Sequence, residues 1–130
     1  MNLKAVIFDL DGTVLDNEAV YGKAFRKVLT EQGGRNLPSG NPQVSGIGIE
    51  ANWKLLLSKY KLDSSLKIEE LIDKTQKYYR ELFSEVKVRP GFRELVQDLQ
   101  SKEVKLALAT SNTKDVTEEI ISYFQLGEFF

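Results

Sequence analysis

Cysteine and histidine are both missing from this 130-residue chain. Without cysteine there are no disulfides, no thiolate nucleophile and no thiolate metal ligand. Without histidine the usual general base and the commonest metal ligand are gone. Acid–base or metal chemistry must therefore run on carboxylates, hydroxyls and lysine. One-sided charge is missing too: 18 Lys and Arg stand against 19 Asp and Glu. That balance leaves no electrostatic footprint for nucleic acid or for an anionic membrane surface. No run approaches the roughly 18–20 apolar residues of a membrane span. Asp9 interrupts the first apolar run before a secretory h-region can form. The default expectation is a cytoplasmic protein. Apolar residues make up 42% and charged residues 28% of the chain, a composition of globular rather than disordered sequences.

The most informative stretch lies at the start. Residues 5–8 (Ala, Val, Ile, Phe) read as a buried strand that ends in two carboxylates, Asp9 and Asp11, followed by Gly12 and Thr13. A hairpin is the local alternative, because Asp11-Gly12 suits a type I′ turn and residues 13–15 are apolar enough to return as a strand. Against it, Asp16-Asn17-Glu18 opens a helical pattern. Val20, Ala24 and Val28, with Tyr21, Phe25 and Leu29 beside them, predict an amphipathic helix over 17–32. Asp16 or Asn17 can cap it, and Gly33-Gly34 stops it. A loop over 35–46 carries Pro38 and Pro42. Helices are expected over 49–60, with Trp53, Leu56, Leu57 and Tyr60 on one face, and over about 65–85.

The organisation changes at Pro90-Gly91. Phe92, Leu95, Val96 and Leu99 then predict a short core-facing helix. Residues 104–109 read as a second buried strand ending in Thr110-Ser111-Asn112-Thr113. A last helix presents Val116, Ile120, Ile121 and Phe124. The order is strand, three-helix insertion, helix, strand, helix, so the two strands should run parallel. Two parallel strands make a poor sheet on their own, since parallel sheets are normally covered on both faces. The expected fold is therefore α/β: a partial Rossmann-like core over 1–15 and 88–130, its C-terminal strands absent, with an α-helical insertion over 16–87. The alternation breaks off as if the chain were the N-terminal part of a larger α/β protein or needed a partner.

Side by side, the two strand ends bring Asp9, Asp11 and Thr110-Ser111-Asn112 to one carboxyl edge, where open α/β sheets place ligands. The N–H groups opening the last helix suit an anion. Two close carboxylates beside an anion site require a divalent cation, and oxygen ligands without His or Cys select a hard ion such as Mg²⁺. An EF-hand is excluded, because the sixth position counted from Asp9 is Val14 rather than glycine.

The run Phe8-Asp9-Leu10-Asp11-Gly12-Thr13-Val14 resembles the first motif of the haloacid dehalogenase-like (HAD) superfamily. Leu106-Ala107-Leu108-Ala109-Thr110-Ser111-Asn112 resembles its second. The helical insertion between them sits where that family carries an α-helical cap, and Pro90-Gly91 matches the point of re-entry into the core. The resemblance implies that Asp9 is the nucleophile of an aspartyl-phosphate mechanism. Asp11 would protonate the leaving group and later activate water, and Asp9 together with Asp11, through its backbone carbonyl, would bind Mg²⁺. Thr110 would hold the phosphoryl group, with Ser111 and Asn112 beside it. Asn17, Tyr21 and the loop 44–50 occupy positions that face the substrate in relatives of this layout.

The family's later Lys and acidic motifs would fall beyond Phe130, and Lys114 is too near Thr110 to serve. These 130 residues alone are therefore expected to show weak activity or none. An acid at Asp11 disfavours dehalogenation. A phosphosugar mutase of the β-phosphoglucomutase type is the nearest alternative, but it calls for a His in the first helix, where Tyr21 lies, and an Arg near Gly46-Ile47-Gly48-Ile49. The expected function is thus a Mg²⁺-dependent phosphatase of a small phosphorylated metabolite. The alternative from another class is a non-catalytic interaction module that self-associates through its incomplete core.

Overall fold

A computed structural model describes residues 2–63 and 65–130. It divides into two compact units: a split unit, Met1–Asp16 with Lys87–Phe130, and an inserted unit, Asn17–Val86.

The split unit is built on two parallel strands, β1 (Ala5–Asp9) and β4 (Lys105–Ala109), in the register Ala5↔Lys105 to Asp9↔Ala109. Parallel pairing is what the intervening helices require, because a tight turn can join only antiparallel neighbours. Two further strands of two residues each, β2 (Leu15–Asp16) and β3 (Lys87–Val88), pair antiparallel. The sequence does not announce them: two residues are too few for periodicity to register. They lie where the chain leaves and rejoins this unit. The hairpin alternative is corrected here. Leu15 bridges Asp11 in a parallel sense and then pairs with Val88, so residues 13–15 do not return along β1.

Helices α4 (Phe92–Ser101) and α5 (Lys114–Tyr123) complete the unit. Phe92, Val96 and Leu99 of α4 are buried as their spacing predicts. Leu95, expected beside them, is 48% exposed because the buried stripe is narrower than the apolar one. Phe8 meets Phe92 edge-on at 5.3 Å and Phe130 at 6.2 Å, and Phe92 meets Phe129 at 6.1 Å. These rings cover one face of β1. The other face is open: Ala5, Ile7 and Asp9 on β1, and Lys105, Ala107 and Ala109 on β4, are all exposed.

The inserted unit is helical: α1 (Glu18–Glu31), α2 (Ile49–Lys59) and α3 (Ile68–Glu81), with a 3₁₀ turn at Phe83–Glu85. α3 packs on both α1 and α2. Its core gathers Ala24, Val28 and Leu29 from α1, Trp53 from α2 and Leu71 and Tyr79 from α3, all fully buried. The expected helix over 65–85 is thus an α-helix that ends at Glu81 and tightens into the 3₁₀ turn, a common way to finish a helix. Gln32 caps α1, Gly33 follows at a φ of +86°, and the Gly34 N–H reaches the Leu29 carbonyl at 2.8 Å. Among the described residues, no helix is long and apolar enough to cross a membrane.

Candidate active site

The site is made by the turn that follows β1. The Leu10 carbonyl accepts backbone N–H bonds from Thr13 (3.3 Å), Val14 (3.0 Å) and Leu15 (3.0 Å), which winds residues 10–15 tightly. Gly12 takes a φ of +73°, a conformation that costs a residue with a Cβ. Leu10, Val14 and Leu15 are fully buried and anchor the turn from below. With its apolar residues committed to the core, the turn presents Asp9, exposed, and Asp11, half-buried. Arg89 braces it from across the unit. Its backbone N–H donates to the Val14 carbonyl at 2.9 Å, and its Nη2 donates to the Gly12 carbonyl at 3.1 Å. The guanidinium also lies 3.8 Å from an Asp16 carboxylate oxygen. Sequence reasoning singled out Pro90-Gly91 and passed over Arg89. A cation immediately before a Pro-Gly that closes the insertion was the available signal.

The β1–β4 register sets Asp9 beside Ala109, one residue before Thr110. Thr110 is half-buried, and its Oγ1 accepts the Asn112 N–H at 3.1 Å. Asn112 then reaches back across 101 residues of sequence and donates from Nδ2 to Asp11 Oδ2 at 2.8 Å. Asp11, Thr110 and Asn112 are therefore joined by direct hydrogen bonds, with Asp9 at the neighbouring register position. Ser111 lies exposed between Thr110 and Asn112. The N-cap of α5 is Thr113, so Asn112 stands one residue outside the helix rather than capping it. Lys114 is exposed and 3.7 Å from Glu118, a surface pair.

Asn17 and Tyr21 sit in the inserted unit. Asn17 occupies the N-cap position of α1 but makes no side-chain cap bond. Its Nδ2 donates instead to the Tyr79 hydroxyl at 2.8 Å, and the residue is 1% exposed. The Tyr21 ring stacks on that of Tyr79 at 3.7 Å between centroids. The loop 44–50 is pinned by Asn52. Its Oδ1 accepts the Val44 N–H at 2.7 Å, and its Nδ2 donates to the Val44 and Gly48 carbonyls, each at 2.9 Å. Asn52 was missed from sequence. A buried asparagine on the apolar face of a helix was the clue, since a buried polar group must find partners.

The donor chemistry suits Mg²⁺ in kind. Asp9 and Asp11 offer only hard oxygen, and this ion is commonly held by one or two carboxylates, with water and substrate phosphate completing its shell. Among the described residues, no group of three or more His, Cys, Asp or Glu gathers to hold a metal.

The model of the haloacid dehalogenase-like hydrolase family matches residues 6–130, and the chain belongs to that family. A phosphorylated carbohydrates phosphatase of Thermotoga maritima is 30% identical over 129 residues, covering 98% of this chain and 59% of the relative. A phosphoglycolate phosphatase of Nitrosospira multiformis is 30% identical over 132 residues, covering 98% and 58%. Among solved structures, CbbY from Rhodobacter sphaeroides in complex with phosphate superposes with a TM-score of 0.82 at 22% identity, over 98% of this chain and 61% of that one. That likeness establishes the shared fold. The chain thus spans about six tenths of the length of the relatives it matches.

Proposed function

We propose that the chain carries the nucleophile and acid–base half of a phosphatase acting on a small phosphorylated metabolite in the cytoplasm. The observation that carries this reading is the Asn112–Asp11 hydrogen bond. It ties the strand end with the carboxylates to the strand end with the hydroxyl, as a site built for one phosphoryl group needs. The phosphatase names of two relatives at 30% identity point the same way.

In this reading an Asp9 carboxylate oxygen attacks phosphorus, and the bond to the leaving oxygen breaks. Asp11 delivers its proton to that oxygen, so the product leaves as an alcohol rather than an alkoxide. Water then attacks phosphorus, the bond to the Asp9 oxygen breaks and a water proton passes to Asp11, which restores the Asp9 carboxylate and the Asp11 acid. The Thr110 hydroxyl and the backbone around Ser111 hold phosphoryl oxygens through the transfer, where electrostatic stabilisation is the dominant contribution. Mg²⁺, held by the Asp9 carboxylate and the Asp11 carbonyl, would offset the negative charge of carboxylates and phosphate. The inserted unit is the counterpart of the α-helical cap that the family resemblance implies, and its loop 44–50 is held in shape by Asn52. Asn17 and Tyr21, packed against Tyr79, act by ordering that cap.

The test is Mg²⁺-dependent hydrolysis of an aryl phosphate by the chain and its Asp9→Asn variant. A slow turnover should fall to background in the variant, by at least about a hundredfold for loss of the nucleophile. A fluorine NMR signal from beryllofluoride bound with Mg²⁺ should appear in the native chain and vanish in the variant, whatever the turnover rate. Turnover and binding both unchanged in Asp9→Asn would reject the mechanism. The competing reading, a self-associating module, draws on the open face of β1. A monomer by light scattering removes it.

A further inference from the structure

We propose that Asn112 is a positioning residue for Asp11. The inference rests on the phosphatase reading for what Asp11 does, but not for its structural content. Two hydrogen bonds carry it. The Asn112 N–H donates to Thr110 Oγ1 at 3.1 Å, which fixes the asparagine backbone against the end of β4. From that fixed point its Nδ2 donates to Asp11 Oδ2 at 2.8 Å.

The first bond orients the threonine as well. A hydroxyl has one proton and two lone pairs. With Oγ1 accepting from the Asn112 N–H, its own proton remains to donate to a phosphoryl oxygen. The second bond is charge-assisted when Asp11 is ionised, the shorter and stronger kind. It favours the orientation of this half-buried side chain in which Oδ2 faces Asn112. Asn112 is thus a bridge. It relates the group that would hold the phosphoryl oxygen to the group that would protonate the leaving oxygen, although they stand on opposite ends of the sequence. A misplacement of such groups by about an ångström is enough to slow a reaction severely.

The test reads the Asp11 side chain by NMR in the whole chain and needs no turnover. Three-bond couplings about χ1 should show one dominant rotamer of Asp11, and a coupling through the hydrogen bond should link an Asn112 side-chain amide to the Asp11 carboxylate. In Asn112→Ala, and in the isosteric Asn112→Asp that lacks the donor, the leading χ1 population of Asp11 should fall measurably below its value in the native chain. Backbone shifts of β1 and β4 should stay in place. Couplings for Asp11 unchanged in Asn112→Ala, with the strands intact, would overturn the proposal. Should a variant not fold, the through-bond coupling in the native chain decides: present, it supports the bridge, and absent, it rejects it. Because the phosphatase reading is judged by Asp9→Asn, the two can fail separately.

Discussion

The two units solve the problem of burial differently. The inserted unit closes on itself. Trp53 and Tyr79 are fully buried, and the polar atoms of Trp53 and Thr75 are paired. Trp53 Nε1 donates to Thr75 Oγ1 at 2.9 Å, and Thr75 donates in turn to the Leu71 carbonyl at 2.7 Å. The split unit is finished on one side of its sheet only. Its aromatic cluster covers Phe8, while Ile7, the next residue along the same strand, is 70% exposed. Three helices can bury their apolar stripes against one another. A two-stranded parallel sheet has two apolar faces and, here, helices enough for one. The unit that holds Asp9 and Asp11 is thus the one with an exposed sheet face.

The largest effect should come from the closed core. Trp53→Ala should cost about 3–5 kcal/mol in urea unfolding followed by circular dichroism, as removing a large buried aromatic does. A cost under about 1 kcal/mol would mean that this core is loosely packed. Next is a paired test within the split unit. Ile120, fully buried on α5, should cost about 2–5 kcal/mol when cut to alanine. Ile7→Ala should stay within about 0.5 kcal/mol, as surface changes do. Equal costs for the two isoleucines would break the comparison, because Ile7 would then be covered in solution.

Gly91→Ala should be milder. The residue takes a φ of +83° with open space around a Cβ, so the cost is backbone conformation alone, about 1–2 kcal/mol in thermal unfolding.

The smallest effect is one of titration. The Tyr78 hydroxyl donates to the Glu31 carboxylate, which raises its pKa above the ordinary tyrosine value. The folded state then holds the phenolic proton more tightly than the unfolded state does. The associated stability is fully present below the unfolded pKa and is lost as pH rises through the folded one. Ultraviolet titration should place Tyr78 above the ordinary tyrosine value, and Glu31→Gln should bring it back toward that value.

Much of this molecule was legible in the sequence because it is local. The spacing of Val20, Tyr21, Ala24, Phe25, Val28 and Leu29 specifies the buried stripe of α1, and all six are buried. The carboxylates after β1 and the hydroxyls after β4 could be read as strand ends from the abrupt change in polarity. The readings that missed were those where local pattern competes with a distant partner. Asn17 has the chemistry of a helix cap and the position of one, yet its side chain goes to Tyr79, 62 residues away. Leu95 has the right spacing for the core, yet it is 48% exposed. Asn52 and Arg89 were harder to read because their bonds run to backbone groups of other segments.

By itself, then, the sequence determined the classes of element, their order, and the chemical limits of the site. With neither histidine nor cysteine among these 130 residues, the candidate site around Asp9 and Asp11 offers oxygen and nitrogen groups only. Only the tertiary structure decided that Asn112 turns to Asp11, that Arg89 braces the turn at Gly12, and that one face of the strand carrying the first carboxylate stays open. The physical reason is the reach of the forces involved. Helical and strand periodicity act between residues a few positions apart, whereas the bond between Asp11 and Asn112 exists only once two parallel strands have been brought into register.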